Sequence, residues 1–196
     1  MDFLLELSDY LSFLKTFTFK DDSLFVELNN SCKKTFTTFC QKKVKFIPFK
    51  IGAVKKFLKS TFKANLIKPV KIKFHFFKKG HAYMLDKGEI HFCKDYIFFQ
   101  PYEKNIVITL HELAHVYLSQ QPFYDKLLKL DASFFEKYVQ NQSLTVISPV
   151  EFYANCIAIN WVNQILPFIT KENRKTLLLQ EIEVLQNKII TAINQV

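Results

Sequence analysis

Hydrophobic and polar positions follow two different periods along this chain, and the change of period divides it into helical and β segments. Residues 2–16 and 51–62 repeat apolar side chains every three or four positions, which predicts two amphipathic helices. From residue 70 the period falls to two, and the alternation over residues 70–77 predicts a strand with one polar face. Residues 80–85 and 89–93 predict two further strands joined by a turn.

The second half of the chain returns to the helical period. Asn105 is predicted to be the N-cap of a helix that continues to about Ser119. Its core-facing positions are predicted to be Ile106, Leu110, Leu113, Ala114 and Tyr117. Three more helices are expected over residues 123–139, 149–164 and 171–194. The last carries an apolar stripe, typical of packing onto the domain or of self-association, made of Leu178, Ile182, Leu185, Ile189 and Ile193.

These elements predict an α+β fold that is mainly helical, with a small sheet of about three strands just before the helix near Asn105. No repeat or linker divides the 196 residues, so a single domain over residues 1–196 is expected. We divide it into a helical N-terminal part (1–65), a central core (66–166) and a C-terminal helix (167–196).

Positive charge is concentrated in the first half of the chain. The net charge is +9, and residues 28–85 contain 15 Lys and no acid. Such a stretch attracts polyanions such as nucleic acid, an anionic membrane surface or an acidic protein. A lysine-rich solvated face is the alternative, because Arg, the better phosphate binder, is missing from these residues. Contact with nucleic acid through residues 28–85 is therefore one of two open interpretations.

The sequence favours a cytoplasmic chain. No apolar run reaches the roughly 18 residues that span a membrane, and the acidic start of the chain does not resemble a signal peptide. The scattered cysteines have no CxxC spacing, which favours reduced thiols: Cys32, Cys40, Cys93 and Cys156. The oligomeric state is not indicated by any pattern in the sequence.

The strongest chemical signal is the run His111-Glu112-Leu113-Ala114-His115. Positions i and i+4 lie on one face of a helix, so both imidazoles can reach a single metal ion. Glu112 can then contact a water on that metal, which is the H-E-x-x-H arrangement of zinc metallopeptidases. About 0.006 matches to this pattern are expected by chance at this composition. We therefore expect Zn2+ on His111 and His115, with Glu112 as the general base.

A catalytic zinc takes three protein ligands, and no histidine follows His115. Glu151, on the predicted helix 149–164, is the favoured third ligand. Asn155 lies one turn further on and is placed to hydrogen-bond a ligand imidazole. Alternatively, Ser148-Pro149-Val150-Glu151 is a capping box in which Glu151 only caps the helix. Weaker ligand candidates, each on a helix face predicted to be solvated, are Asp125, Asp131 and Glu136.

The strands before the motif carry candidates for substrate binding. One functional interpretation is that a histidine or tyrosine there lines the substrate groove and donates a hydrogen bond to the oxyanion. The other is that the histidines, including His75, are simply surface or edge-strand residues. The candidates are His81, His91, Tyr83 and Tyr96.

The residues His111, Glu112, His115 and Glu151 resemble the gluzincins, zinc metallopeptidases with H-E-x-x-H on one helix and a Glu ligand on a later one. The resemblance covers about residues 70–165. It is closer to ImmA/IrrE-type peptidases than to SprT-like proteases, which act on DNA-bound proteins and use a third His that is absent here. The family's Glu-x-x-x-Asp pattern ends here in Asn155, whose neutral amide would polarise a ligand histidine less than a carboxylate does.

The resemblance implies a minimal zincin core over residues 66–166, a protein or peptide substrate that pairs with an edge strand, and hydrolysis of a peptide bond. Two alternatives remain. One is a non-cleaving regulatory or binding protein with a zincin fold, which the departure at Asn155 leaves open. The other is a nucleic-acid-associated protease that uses the basic residues 28–85.

Overall fold

The computed structural model describes residues 6–17, 71–75, 82–85, 89–93, 100–138, 147–169 and 171–194. The helices in these ranges are α1 (Leu7–Thr16), α2 (Tyr102–Ser119), α3 (Tyr124–Tyr138), α4 (Pro149–Ile165) and α5 (Glu172–Ile193), and a short 3-10 helix (Leu166–Phe168) follows α4. The described part is thus mainly helical, as predicted. The helix expected over residues 51–62 lies outside the described residues. No described helix is long and apolar enough to cross a membrane.

Within the described ranges, three strands precede α2: β1 (Lys71–His75), β2 (Ala82–Leu85) and β3 (Glu89–Cys93). They pair in the order β1-β3-β2, with β1 parallel and β2 antiparallel to β3. β3 is therefore central, and its residues from Ile90 to Cys93 are buried. Because β3 is paired on both sides, β1 and β2 form the edges of this three-stranded unit.

The core forms around α2, which packs most extensively against α4 and also contacts α5 and β2. The five positions predicted to face the core from α2 are all buried, so that prediction is confirmed: Ile106, Leu110, Leu113, Ala114 and Tyr117. The stripe on α5 packs onto the same core through Leu178, Ile182 and Ile189, with Leu185 and Ile193 partly buried beside them. This packing removes apolar surface from water. It therefore determines which face of α2 is buried in the core and which face carries the candidate site.

The predicted start of α2 was wrong. The helix begins four residues earlier, with Pro101 in the cap position, and Asn105 lies one turn inside it. The Asn105 N–H donates to the Pro101 carbonyl at 3.1 Å, and its side-chain amide donates to the Gln100 carbonyl at 3.4 Å. Pro101 carries no N–H and has a fixed φ, so it can precede a first turn without leaving a donor unsatisfied.

An ion pair joins the first turns of α2 and α5. Arg174, the only arginine in the sequence, lies 2.7 Å from the Glu103 carboxylate, which is 3% exposed. A buried carboxylate is stable only when paired and hydrogen-bonded, and its place in the first turn of α2 adds a favourable helix-dipole interaction. The pair fixes α5 against the helix that carries the H-E-x-x-H motif.

Candidate metal centre

The third and fourth turns of α2 face the first turn of α4, and three candidate ligands meet there. The Nε2 atoms of His111 and His115 are 3.0 Å apart. The Glu151 carboxylate lies 3.4 Å from His111 Nε2 and 3.1 Å from His115 Nε2. Within the described part of the chain, this is the one group of three His, Cys, Asp or Glu side chains whose ligand atoms could hold a metal ion together.

The donor set and its spacing suit a tetrahedral metal. Two ligand atoms, each about 2.0–2.1 Å from a tetrahedral zinc, are about 3.3 Å apart. The three observed separations, 3.0, 3.1 and 3.4 Å, lie close to that value. Two imidazoles and one carboxylate also leave a fourth position for water or substrate, as catalytic zinc sites require.

The local sequence of α4 places Glu151 at this position. Ser148 is the N-cap, Pro149 occupies the first turn, and the Ser148 hydroxyl accepts a hydrogen bond from the Glu151 N–H at 3.4 Å. The serine half of the predicted capping box is therefore present. The Glu151 carboxylate lies against the two imidazoles and is half exposed. One residue thus contributes its backbone to the helix start and its side chain to the site.

Asp131 of α3 provides a second cap for α4, which the sequence did not reveal. Its Oδ1 accepts a hydrogen bond from the Val150 N–H at 2.9 Å, and Ser148 also hydrogen-bonds its side chain. Burial raises the pKa of Asp131, and these two hydrogen bonds oppose the shift. The prediction of a solvated helix face was wrong for Asp131, which holds the turn that carries Glu151.

We expect Asp131→Ala to weaken metal binding as well as folding. Loss of the cap should lower the free energy of unfolding by about 1 kcal/mol. A loosened first turn of α4 should also weaken zinc binding by about tenfold, as loss of a group that orients a ligand does. Asp131→Asn keeps an acceptor for Val150 and should show less of both effects.

Urea unfolding and competition against a chromophoric chelator would measure these effects, with Ser133→Ala on the exposed side of α3 as control. Zinc affinity that stays at the wild-type value in Asp131→Ala, despite lower stability, would reduce Asp131 to a helix cap alone.

Glu112 of α2 and Asn155 of α4 border the three candidate ligands. Glu112 is buried, and it interacts electrostatically with His111, His115 and Glu151. Burial raises the pKa of Glu112, while the two histidines oppose this shift. Asn155 is buried and its side chain hydrogen-bonds His111. Asn155 therefore occupies the position that the sequence assigned to it, next to a candidate ligand imidazole.

Electrostatic interactions among the candidate ligands keep the Glu151 carboxylate charged. Burial raises the pKa of Glu151, but the hydrogen bonds and charges of His111 and His115 outweigh it and hold the pKa below its ordinary value. Burial lowers the pKa of His111, but Glu151, with smaller contributions from Glu112 and Asn155, outweighs this and holds that pKa above its ordinary value. Glu151 is thus ionised at neutral pH, the state in which a carboxylate binds a metal.

Of the four residues predicted to bind substrate, two lie in the described strands and two lie outside the described residues. His81 and Tyr96 lie outside the described residues, and Tyr83 lies on β2 opposite His91 in register. His91 is buried on the central strand, so the interpretation as a surface or edge-strand histidine was wrong for it. Its Nε2 lies 2.9 Å from the Glu89 carboxylate, and its Nδ1 contacts the stacked ring of His75. Hydrogen bonds from Lys73 and His91 lower the pKa of Glu89 to about 2.

No protein-family model, curated protein or solved structure matches this chain. Function is therefore inferred from the side chains that meet between α2 and α4. Those side chains comprise three groups that could hold a metal ion, a buried carboxylate beside them and an amide that hydrogen-bonds one imidazole.

Proposed function

We propose that this chain is a zinc-dependent metallopeptidase of the gluzincin type, with a zincin-like core. The observation that carries the proposal is the convergence of His111, His115 and Glu151, with Glu112 buried beside them. Two ligands one helical turn apart, a third on a later helix and an adjacent carboxylate are what metal-assisted hydrolysis requires.

Each residue has a separate task in this proposal. His111, His115 and Glu151 would hold the zinc, and a bound zinc would supply polarisation of the scissile carbonyl and a lower pKa for the attacking water. Glu112 accepts the proton of that water and delivers it to the leaving amine. Asn155 hydrogen-bonds His111 and fixes the orientation of its ring.

An edge of the sheet offers a place for the peptide. Of the three described strands, β3 is paired on both sides, whereas β2 is an edge that contacts α2. An extended substrate can pair with such an edge through main-chain hydrogen bonds. Substrate therefore binds along β2 in this proposal, with its scissile bond directed toward Glu112.

Two alternative functions, a non-cleaving zincin-fold protein and a nucleic-acid-associated protease, have less support. The buried Glu112 argues against a non-cleaving zincin-fold protein, which would not need a general base. Burying a carboxylate costs free energy, and a role in hydrolysis would explain why Glu112 is present at the site. Nucleic-acid binding through residues 28–85 stays a prediction, because most of that stretch lies outside the described residues. Lys73, which is described, forms an ion pair with Glu89.

Digestion of a broad peptide library, read by mass spectrometry, tests the proposal. We expect purified protein to cleave a subset of peptides, to lose this activity when a chelator removes the metal, and to regain it with added zinc. Cleavage that persists after complete metal removal would contradict the proposal. So would an intact library in the presence of fully zinc-loaded protein.

A further inference from the structure

A cavity of about 440 Å3 opens beside the candidate metal centre. It lies between α3, the first turns of α4 and the last turns of α5, and both Glu151 and Asn155 line it. Cavities of about 300–1,000 Å3 are typical of sites for small ligands. The cavity is therefore large enough for a substrate side chain together with part of the neighbouring peptide.

Most of the lining is apolar. Ile147 lies beside the start of α4, and Leu185 and Ile189 reach the cavity from α5. At the rim, Phe135 of α3 is 45% exposed. The end of the α5 stripe thus forms the wall of a cavity. A large apolar side chain that enters it would remove this surface from water.

Lys188 supplies a positive charge to this apolar cavity. It lies on α5 one residue before the buried Ile189, and its own side chain is exposed. No acid occupies the positions three or four residues away on the helix, and Lys188 forms no ion pair with any described residue. Its charge is therefore available to an acidic group of a ligand.

We propose that this cavity selects peptides in which a large apolar residue next to the cleaved bond is followed by a carboxylate that pairs with Lys188. The inference rests on the proposed peptidase function. The carboxylate can belong to an Asp or Glu side chain or to the C-terminus of a short substrate. Both sources offer the same chemistry to Lys188, and free-acid and amidated peptides distinguish them.

Binding to zinc-loaded Glu112→Gln protein tests this inference without turnover. Fluorescent peptides would carry Phe followed by Glu, Gln or Lys, and a second set would end in Phe-Ala as a free acid or an amide. We expect acidic peptides to bind about twofold to fivefold more tightly than neutral ones, because an ion pair with an exposed lysine contributes at most about 1 kcal/mol. Lys188→Met should remove this preference, and Lys188→Glu should transfer it to the Lys-containing peptide.

Matched variants separate the cavity from general effects of charge and folding. Lys129→Met removes an exposed lysine of α3 that does not line the cavity and should leave the preference unchanged. Thr191→Phe fills the cavity from its rim and should weaken binding of the Phe peptides, whereas Gln180→Phe elsewhere on α5 should not. Equal affinity for acidic, neutral and basic peptides would overturn the inference, as would a preference that survives Lys188→Met or no peptide binding at all.

Cleavage by the wild-type protein distinguishes this inference from the proposed function. Hydrolysis with the same acidic preference supports both. Hydrolysis without any preference overturns the role of the cavity and leaves the peptidase intact. Lys188-dependent binding of acidic peptides that are never cleaved keeps the cavity as a ligand site and contradicts the peptidase.

Discussion

Glu112→Gln is expected to abolish peptide hydrolysis while leaving the metal bound. The amide has nearly the same shape as the carboxylate, but it cannot accept the proton of the attacking water. Removal of a general base costs about 10²–10⁴ in rate. Because Glu112 is not one of the three converging ligands, zinc content should stay at the wild-type level. The measurement is kcat/KM on a cleaved library peptide, together with zinc stoichiometry of the same preparation.

The matched control for this variant is Glu136→Gln, the same change on the exposed side of α3. It should leave both kcat/KM and zinc content unchanged. A Glu112→Gln preparation that is free of wild-type protein and retains full activity would show that another group activates the water. Loss of zinc in this variant would instead show that Glu112 helps to hold the metal.

Glu151→Ala is expected to lower zinc affinity by more than about 100-fold, a larger loss than is typical for residues that only orient a ligand. The variant removes the carboxylate that lies against both imidazoles. It also removes the stabilisation that bound zinc gives to the folded state, so added zinc should raise the melting temperature of wild-type protein and not that of the variant.

Glu172→Ala is the control that separates a ligand from a helix cap. Glu172, like Glu151, is an acid in the first turn of its helix, but its side chain is 81% exposed. If Glu151 acted only through the helix dipole, both variants would lose at most about 1 kcal/mol of stability and neither would lose zinc. Equal zinc affinity in Glu151→Ala and wild type would return Glu151 to the role of a cap.

Local features of the site could be predicted from the sequence because they depend on spacing along single helices. His111 and His115 are four residues apart and therefore share one face wherever α2 lies. Ser148 and Pro149 likewise specify the start of α4, and the position of Asn155 follows from that start. The helical periods of α2 and α5 also identified their buried faces, because packing against a single core selects apolar positions at that spacing.

Contacts between elements could not be predicted in this way. Asp131 belongs to a helix whose buried face includes Leu127 and Phe134, so its period places it next to that face. The sequence does not reveal that the first turn of α4 lies there to be capped. The Glu103–Arg174 pair and the cavity beside Glu151 likewise depend on how helices pack against one another. The start of α2 was predicted wrongly for a local reason. Asn105 is a residue type that favours the N-cap position, so it was chosen over Pro101, which lies four positions earlier.

Elemental analysis of the purified protein, alongside His115→Ala, tests whether the chain binds zinc through His111, His115 and Glu151. We expect about one zinc per chain in the wild-type protein and little in the variant, because His115 would contribute one of the three ligand atoms. A wild-type chain without bound metal after exposure to zinc would contradict a zinc site in this protein. Zinc bound equally well by His115→Ala would contradict this placement of the site, because the metal would then lie elsewhere.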